Sequence, residues 1–399
     1  MRTVIVGAGQ AGRRTAELLR SLDGGREILL IGEEKELPYD RPPLSKEILL
    51  GELHPKGLMQ RGVEAYDAQH IAVRLGQRVA GIDLAAARIE TAMGERIAYD
   101  SLVLATGARA RTLLLSGAAD PRVRTLRNMA DALALRAQLR PELRLAVVGA
   151  GLIGLEVAAA ATAIGCTVTV LEVADRVMAR CVPAAISARI LAWHHAAGVQ
   201  VHLGCALEAI TPENECLRLS TSLGEMEADL LLVAIGSVPN VELASEAGLA
   251  TDSGILVDSV GRTSHGQIFA AGEVARIRQP AGHHVRYETW QVAQYQPSAV
   301  AHALCGAEKP YLELPWHWTD QYRRNVQMFG AQDDNLEWLM REDGERLTAL
   351  GIDEQGRVCG AVLIDNGREA TPVRRIIGGQ QILDRKALLD PQRPLRQLC

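Results

Sequence analysis

Thr3-Val-Ile-Val-Gly7-Ala-Gly9-Gln-Ala-Gly12, near the start of the chain, and Leu145-Ala-Val-Val-Gly149-Ala-Gly151-Leu-Ile-Gly154, in its middle, are two copies of one pattern. Each runs from a β-branched, strand-forming stretch through Gly-x-Gly-x-x-Gly into an Ala/Leu-rich stretch that reads as helix. Each then meets a second apolar run closed by an acid, Glu27-Ile-Leu-Leu-Ile-Gly32-Glu33 and Thr167-Val-Thr-Val-Leu-Glu172. The spacing has a physical reason. The first glycine allows the tight turn, the second lets backbone approach a pyrophosphate, and the third lets helix pack on strand, while the helix N-terminus faces negative charge. The closing acid can accept hydrogen bonds from a ribose 2′-hydroxyl. One such motif is weak, because glycine turns between strand and helix also occur without a ligand. Two complete copies, each in βαβ context, predict two dinucleotide sites in one chain.

The remaining segments read as returns and a further module. Leu102-Val-Leu-Ala-Thr-Gly107, Leu230-Leu-Leu-Val-Ala-Ile-Gly236 and Gln267-Ile-Phe-Ala-Ala-Gly272-Glu273 are strands ending in small-residue turns. Past residue 310 the texture changes: Trp316-His-Trp318-Thr-Asp-Gln-Tyr322 opens a segment with strand-like runs at Leu347–Ile352 and Val358–Asp365. The expected fold is α/β, with two Rossmann-like dinucleotide-binding domains and a C-terminal α+β domain. Expected boundaries are 1–112 with 235–310 for the first, discontinuous domain, 113–234 for the second and 311–399 for the third.

Composition limits the function classes. A chain of 399 residues suggests two or three domains. With 48 % hydrophobic and 23 % charged residues it is globular rather than disordered or fibrous. A formal net charge of −5 argues against bulk attraction to nucleic acid or anionic lipid. The seven cysteines (Cys166, Cys181, Cys205, Cys216, Cys305, Cys359 and Cys399) are odd in number, scattered, and form no CxxC or CxxxxC pair. They are expected as free thiols in a reducing, cytoplasmic compartment. No secretion signal follows Met1. The apolar stretch from Leu145 to Val173 is broken by four glycines and carries Glu156, so it reads as a buried βαβ unit and not a membrane span. His194-His195 and His283-His284 lack a metal-ligand arrangement and are expected on helical or loop surface, with no metal site.

Two nucleotide sites suggest two cofactors exchanging electrons, and the usual pair is FAD with a nicotinamide nucleotide. At this point the residues carry a resemblance. GxGxxG, Leu37-Pro-Tyr-Asp-Arg41-Pro-Pro-Leu-Ser-Lys46, the Leu-Ala-Thr-Gly turn, GxGxxGxE and Ile268-Phe-Ala-Ala-Gly-Glu273 occur in that order. Together with Arg286–Trp290 and Pro315–Tyr322 they resemble the NADH-dependent ferredoxin reductase components of bacterial aromatic-ring-hydroxylating dioxygenases, and are similar to the putidaredoxin and rubredoxin reductases. Related subfamilies carry CxxxxC or CxxC as an internal electron relay, but Leu37 to Gly51 contains no cysteine. Electrons from the flavin must then pass outward, and a flavin that takes two at once and releases them singly suits a [2Fe–2S] ferredoxin.

The resemblance implies FAD on Gly7, Gly9, Ala11 and Gly12, with Glu33 as ribose acceptor and Arg41, Lys46, Val79, Ala105, Thr106, Gly107, Arg127, Gly272, Glu273 and Trp290 around it. It implies NADH on Gly149, Gly151, Ile153, Gly154, Glu156 and Gly236, with Glu172 on the adenosine ribose. An acid there repels a 2′-phosphate, and Val173-Ala174 supply no cation to capture one, so NADH is expected over NADPH. Lys46 and Glu156 are the catalytic candidates, which relatives pair near the flavin; an ordinary surface ion pair is the plain alternative. Trp290, Trp316 and Trp318 lie by the same resemblance near the flavin or on the electron exit path, with packing at a domain seam as the alternative. Glu288 shapes the nicotinamide pocket or makes a simple hydrogen bond. Two departures from the family pattern stand out: Glu273 where relatives usually have Asp, and His317 where Phe is frequent.

The expected partner is a transiently bound ferredoxin serving an aromatic-ring oxygenase. Arg374, Arg375, Arg385 and Lys386 either greet an acidic ferredoxin or form a solvated face. Rival readings are a stand-alone NADH oxidase, diaphorase or quinone reductase, and a redox-sensing binding protein resembling apoptosis-inducing factor. Neither nucleic acid nor membrane is an expected partner, and the oligomeric state is left open.

Overall fold

Alternate residues of the Arg2–Val6 strand feed two separate cores in the computed structural model, which describes residues 1–380 and 382–398. Val4 and Val6 pack with Leu29, Ile31, Leu102 and Leu104 on one side, and Ile5 packs with Ile28, Leu30 and Val103 on the other. Strands buried on both faces read as unbroken apolar runs, which is why Val4–Val6 and Ile28–Ile31 carry no polar residue. The strands form a parallel sheet in the order Ile268–Ala270, Ser101–Leu104, Arg2–Val6, Glu27–Ile31, Ile71–Arg74. The Gln10–Leu22 helix lies on it and packs against the Trp290–Leu304 helix. A three-stranded antiparallel sheet (Val79–Asp83, Arg88–Thr91, Arg96–Ala98) belongs to the same unit.

By contact the chain divides into two compact units: 1–41, 55–109 and 237–313 form one, and 42–54, 110–236 and the segment from Leu314 onward form the other. The three-part division drawn from the sequence remains an expectation.

The second unit repeats the parallel arrangement, in the order Gln200–His202, Thr167–Leu171, Arg144–Val148, Leu230–Val233, Val123–Thr125. Its Leu152–Ile164 helix follows the second glycine loop and ends on Gly165 in the left-handed conformation. The same unit contains a five-stranded antiparallel sheet, in the order Trp316–Gln321, Arg324–Gly330, Val358–Ile364, Arg346–Ile352, Glu337–Asp343. Its inner face packs Phe329, Leu350, Ala361 and Leu363 against Val373, Ile376 and Ile377 of the Ala370–Gly379 helix. The Glu47–Leu50 turn of helix packs beside Leu152–Ile164 in this unit.

Candidate functional site

The three glycines of each loop answer to different demands. Gly7 and Gly149 have φ of +112° and +104°, and an added Cβ would lie 2.1 Å from the Ala105 carbonyl oxygen and 2.5 Å from that of Ala234. A Cβ on Gly12 would lie 1.9 Å from the Gly7 oxygen, and one on Gly154 would lie 2.0 Å from the Gly149 oxygen. These contacts are with backbone, so the fold itself requires the first and third glycines. Gly9 and Gly151 are different: their backbones are ordinary, and a Cβ on either would meet nothing within 4 Å. Each opens a helix that no side chain caps. The first-turn N–H groups of a helix have no acceptor within it. Each loop is therefore an open cradle of positively polarised donors, which fits a dinucleotide pyrophosphate. Ala11 is buried against Gly272, and Ile153 is 43 % exposed on the first turn of the second glycine helix.

The two closing acids are held differently. Glu33 lies just past the Glu27–Ile31 strand, exposed and, among the described residues, with no side-chain partner. Glu172 accepts the Ala150 N–H at 2.6 Å on one oxygen and the Ala174 N–H at 2.9 Å on the other. Those bonds tie the Glu172 carboxylate to the glycine loop. Arg176, the nearest cation in sequence, is spent on the Val182 carbonyl at 2.7 Å and on Asp334 at 2.5 Å.

Most other residues assigned to FAD by resemblance fall in the first unit. Ala105 donates its N–H to the Val6 carbonyl at 2.7 Å. Thr106 and Gly107 are locked to Asn240: the Thr106 hydroxyl donates to the Asn240 carbonyl at 2.8 Å, and Asn240 returns a side-chain bond to Thr106 and a backbone bond to Gly107, each 2.9 Å. Arg41 pairs with Glu34 at 2.5 Å, and Val79 opens the Val79–Asp83 strand. Trp290 begins the Trp290–Leu304 helix and donates to Asp40 at 3.1 Å. Glu273 accepts the Ser237 hydroxyl at 3.0 Å and lies 3.7 Å from Arg286, so protein partners take up the longer side chain. Glu288 joins the same group through Arg286 and Ser237. Arg127 and Gly236 fall in the second unit, Arg127 with its N–H on Asp131 at 2.9 Å and Gly236 at φ +98°.

Lys46 and Glu156 do meet, within the second unit. Lys46 Nζ lies 3.3 Å from Glu156 Oε1, the two side chains only 12 % and 7 % exposed. The Ser45 hydroxyl donates to the other carboxylate oxygen, and the Thr319 hydroxyl donates to Oε1 at 2.7 Å. Burial pushes the Glu156 carboxyl above the usual carboxylate range, against the opposing pull of Lys46, Ser45 and Thr319. That degree of burial removes the plain alternative of a surface ion pair. The sequence did not single out Ser45 or Thr319. Ser45 sits next to Lys46, and the two-residue period of Trp316–Gln321 places Thr319 on one face with His317 and Gln321.

One expectation is overturned. His194 is not on the surface: it is fully buried, bonded to Gln321 and Tyr322, while His195 is exposed. Trp316 and Trp318 stack with centroids 4.9 Å apart, and Arg374 lies over Trp316 at 5.0 Å. Arg385 pairs with Glu337, whereas Arg375 and Lys386 are exposed. Six cysteines are free thiols, and Cys399 lies outside the described residues. Among the described residues no group of His, Cys, Asp and Glu is placed to hold a metal, and no helix is long and apolar enough to cross a membrane.

Comparison with known proteins finds matches over nearly the whole chain. The pyridine nucleotide-disulphide oxidoreductase family matches residues 1–296, and the reductase C-terminal family matches residues 316–399. The ferredoxin–NAD(+) reductase component of the anthranilate 1,2-dioxygenase system of Burkholderia cepacia is 44 % identical over 394 residues, 97 % of each chain. The corresponding component of the 3-phenylpropionate/cinnamic acid dioxygenase of Photorhabdus laumondii is 38 % identical over 378 residues, covering 94 % of this chain and 95 % of its own. Among solved structures, a covalent putidaredoxin reductase–putidaredoxin complex matches with a TM-score of 0.94 at 32 % identity, over 99 % of this chain and 97 % of the other.

Proposed function

The chain belongs to the pyridine nucleotide-disulphide oxidoreductase family, and from that premise we propose its place within it: an NADH-dependent flavoprotein passing single electrons to a [2Fe–2S] ferredoxin that serves an aromatic-ring oxygenase. It is a ferredoxin–NAD(+) reductase of the dioxygenase-system type, with FAD and NADH as cofactors and ferredoxin as transient partner. The observation that carries the reading is the pair of open cradles at Gly9 and Gly151, each at an uncapped helix N-terminus. Bound FAD supplies the chemistry that takes two electrons together and gives them up singly.

The residues then divide by task. Gly7, Gly9, Gly12 and Glu33 hold the FAD pyrophosphate and ribose, with Ala11, Arg41, Val79, Ala105, Thr106, Gly107, Arg127, Gly272, Glu273 and Trp290 completing that site. Gly149, Gly151, Ile153, Gly154, Glu172 and Gly236 hold NADH. With both cofactors bound, Lys46 would supply a fixed cation and Glu156 a fixed carboxylate to the hydride transfer. Although the family includes disulphide reductases, Leu37–Gly51 offers no thiol, which favours an external acceptor. We place the protein in the cytoplasm on the same reading, supported by its odd, scattered cysteines.

Anaerobic stopped-flow spectroscopy tests the assignment. The purified protein is expected to be yellow, to bleach on adding NADH, and to reoxidise faster with a [2Fe–2S] ferredoxin than with quinone or oxygen. A colourless protein that takes up no flavin, or reoxidation by oxygen at the ferredoxin rate, overturns it.

A further inference from the structure

Four polar side chains run in one line to Glu156. Thr319 Oγ1 lies 2.7 Å from Glu156 Oε1, Gln321 Nε2 lies 3.1 Å from Thr319 Oγ1, His194 Nε2 lies 2.9 Å from Gln321 Oε1, and Tyr322 Oη lies 2.9 Å from His194 Nδ1. Donor chemistry fixes the direction. An ionised carboxylate only accepts, so the Thr319 hydroxyl gives its hydrogen to Glu156 and its oxygen takes one from the Gln321 amide. The amide oxygen then takes the His194 Nε2 hydrogen, and Nδ1 of the neutral ring accepts from the Tyr322 hydroxyl. Every donor points towards Glu156.

Two further observations set this line apart from incidental core bonding. Thr319, Gln321 and His194 are all essentially buried, where hydrogen bonds polarise one another and an unmade one is costly. Tyr322 and Arg323 form the two-residue turn between the Trp316–Gln321 and Arg324–Gly330 strands at φ +52° and +61°. Such a turn usually takes Asn-Gly, and a ring-bearing residue there is strained. The strained turn puts the Tyr322 hydroxyl against His194.

We infer that Thr319, Gln321, His194 and Tyr322 are positioning residues that fix the Glu156 carboxylate beside Lys46 through this one-way line of hydrogen bonds. The inference rests on the reading of Glu156 as part of the reaction site. Lys46 is the charged group beside Glu156, and His195 is the titratable neighbour of His194. Burial lowers the His194 imidazole below its ordinary range, which keeps it in the neutral form the line needs.

Nitrogen-15 NMR of the histidine-labelled holoprotein reads the line directly. His194 is expected as a neutral ring with its hydrogen on Nε2 near neutral pH; a hydrogen on Nδ1, or an imidazolium, overturns the inference. The pH profile of flavin reduction by NADH gives an independent readout. Its acid limb is expected to move up by about one pH unit in Thr319→Val, a ten-fold loss at fixed acid pH, to return in Thr319→Ser, and to move less in Tyr322→Phe. A limb unmoved in both Thr319→Val and Tyr322→Phe overturns the inference. A limb that survives Glu156→Gln rejects the reading of Glu156 itself, and the nitrogen signals then still decide the line.

Discussion

Lys46 Nζ sits 3.3 Å from the Glu156 carboxylate, with neither side chain more than 12 % exposed. Removing one partner of such a pair leaves an uncompensated buried charge, whereas neutralising both is far milder. Lys46→Met is therefore expected to destabilise the fold by about 3 kcal/mol. The Lys46→Met/Glu156→Gln double variant is expected to recover most of that in urea titration, while flavin reduction stays slow. Equal stability of the single and double variants would show that the two charges are not coupled.

The raised Glu156 carboxyl also gives a pH slope to stability. Its folded form keeps a proton to higher pH than the unfolded chain does, so between the two titrations the native state binds more protons. Stability from this group is then full below the ordinary carboxylate range and falls as pH rises through the folded titration. Urea midpoints of the protein and of Glu156→Gln, compared across that interval, should converge towards the acid side. Parallel midpoints would mean that the site leaves this carboxyl unshifted.

Gly9 and Gly12 should fail in opposite ways. A Cβ on Gly9 meets nothing, while one on Gly12 lies 1.9 Å from backbone. Gly9→Ala is expected to keep its thermal stability but lose bound flavin, because the methyl fills the cradle. Gly12→Ala is expected to lose stability outright. Gly151→Ala and Gly154→Ala should repeat the contrast in the second loop, with NADH binding in place of flavin content. A flavin-loaded Gly9→Ala protein would place the pyrophosphate elsewhere.

The glycine loops were legible in the sequence because each glycine answers to a separate local demand within a dozen residues of chain. Glu156 was flagged by its place in GxGxxGxE, but its pairing with Lys46, 110 residues away, came only through family resemblance. Thr319 was illegible, since nothing local says that Trp316–Gln321 returns to the Leu152–Ile164 helix. His194 was a readable signal passed over. Ser187, Ile190 and His194 fall on one stripe of Ala184–Ala196, and that helical period separates His194 from the exposed His195 beside it. The tandem pair hid the period. The Asn240 clasp on Thr106 and Gly107 depends on a chain return that no local pattern encodes.

The Glu172 carboxylate is already oriented by the Ala150 and Ala174 N–H groups, a fixed acceptor that the proposed NADH site would offer to a ribose hydroxyl. Hydrogen bonds to a charged group are worth about 1.5–3 kcal/mol. Glu172→Arg should lower the ratio of NADH to NADPH efficiency by at least roughly ten-fold, and Glu172→Gln by less. Steady-state kinetics with both nucleotides checks this, and an unchanged ratio in Glu172→Arg removes Glu172 from the nucleotide site.

His317 faces the same side of its strand as Thr319, and its buried Nδ1 has no hydrogen-bond partner among the described residues. Burial alone lowers its imidazole to about 4. An unfolded chain binds that proton at the ordinary histidine value, near 6.5, so between the two values the unfolded state holds more protons. The sign is then fixed: this residue's contribution to stability falls as pH drops from about 6.5 towards 4. His317→Phe removes both the orphaned nitrogen and the slope while keeping a flat ring of similar reach. The variant should be more stable by about 1 kcal/mol at neutral pH. Its advantage should widen by a further 1–2 kcal/mol, to order of magnitude, near pH 5. Urea midpoints of the two proteins at both pH values decide the matter: an advantage that does not grow on acidification means that His317 takes up its proton in the folded state as readily as in the unfolded one.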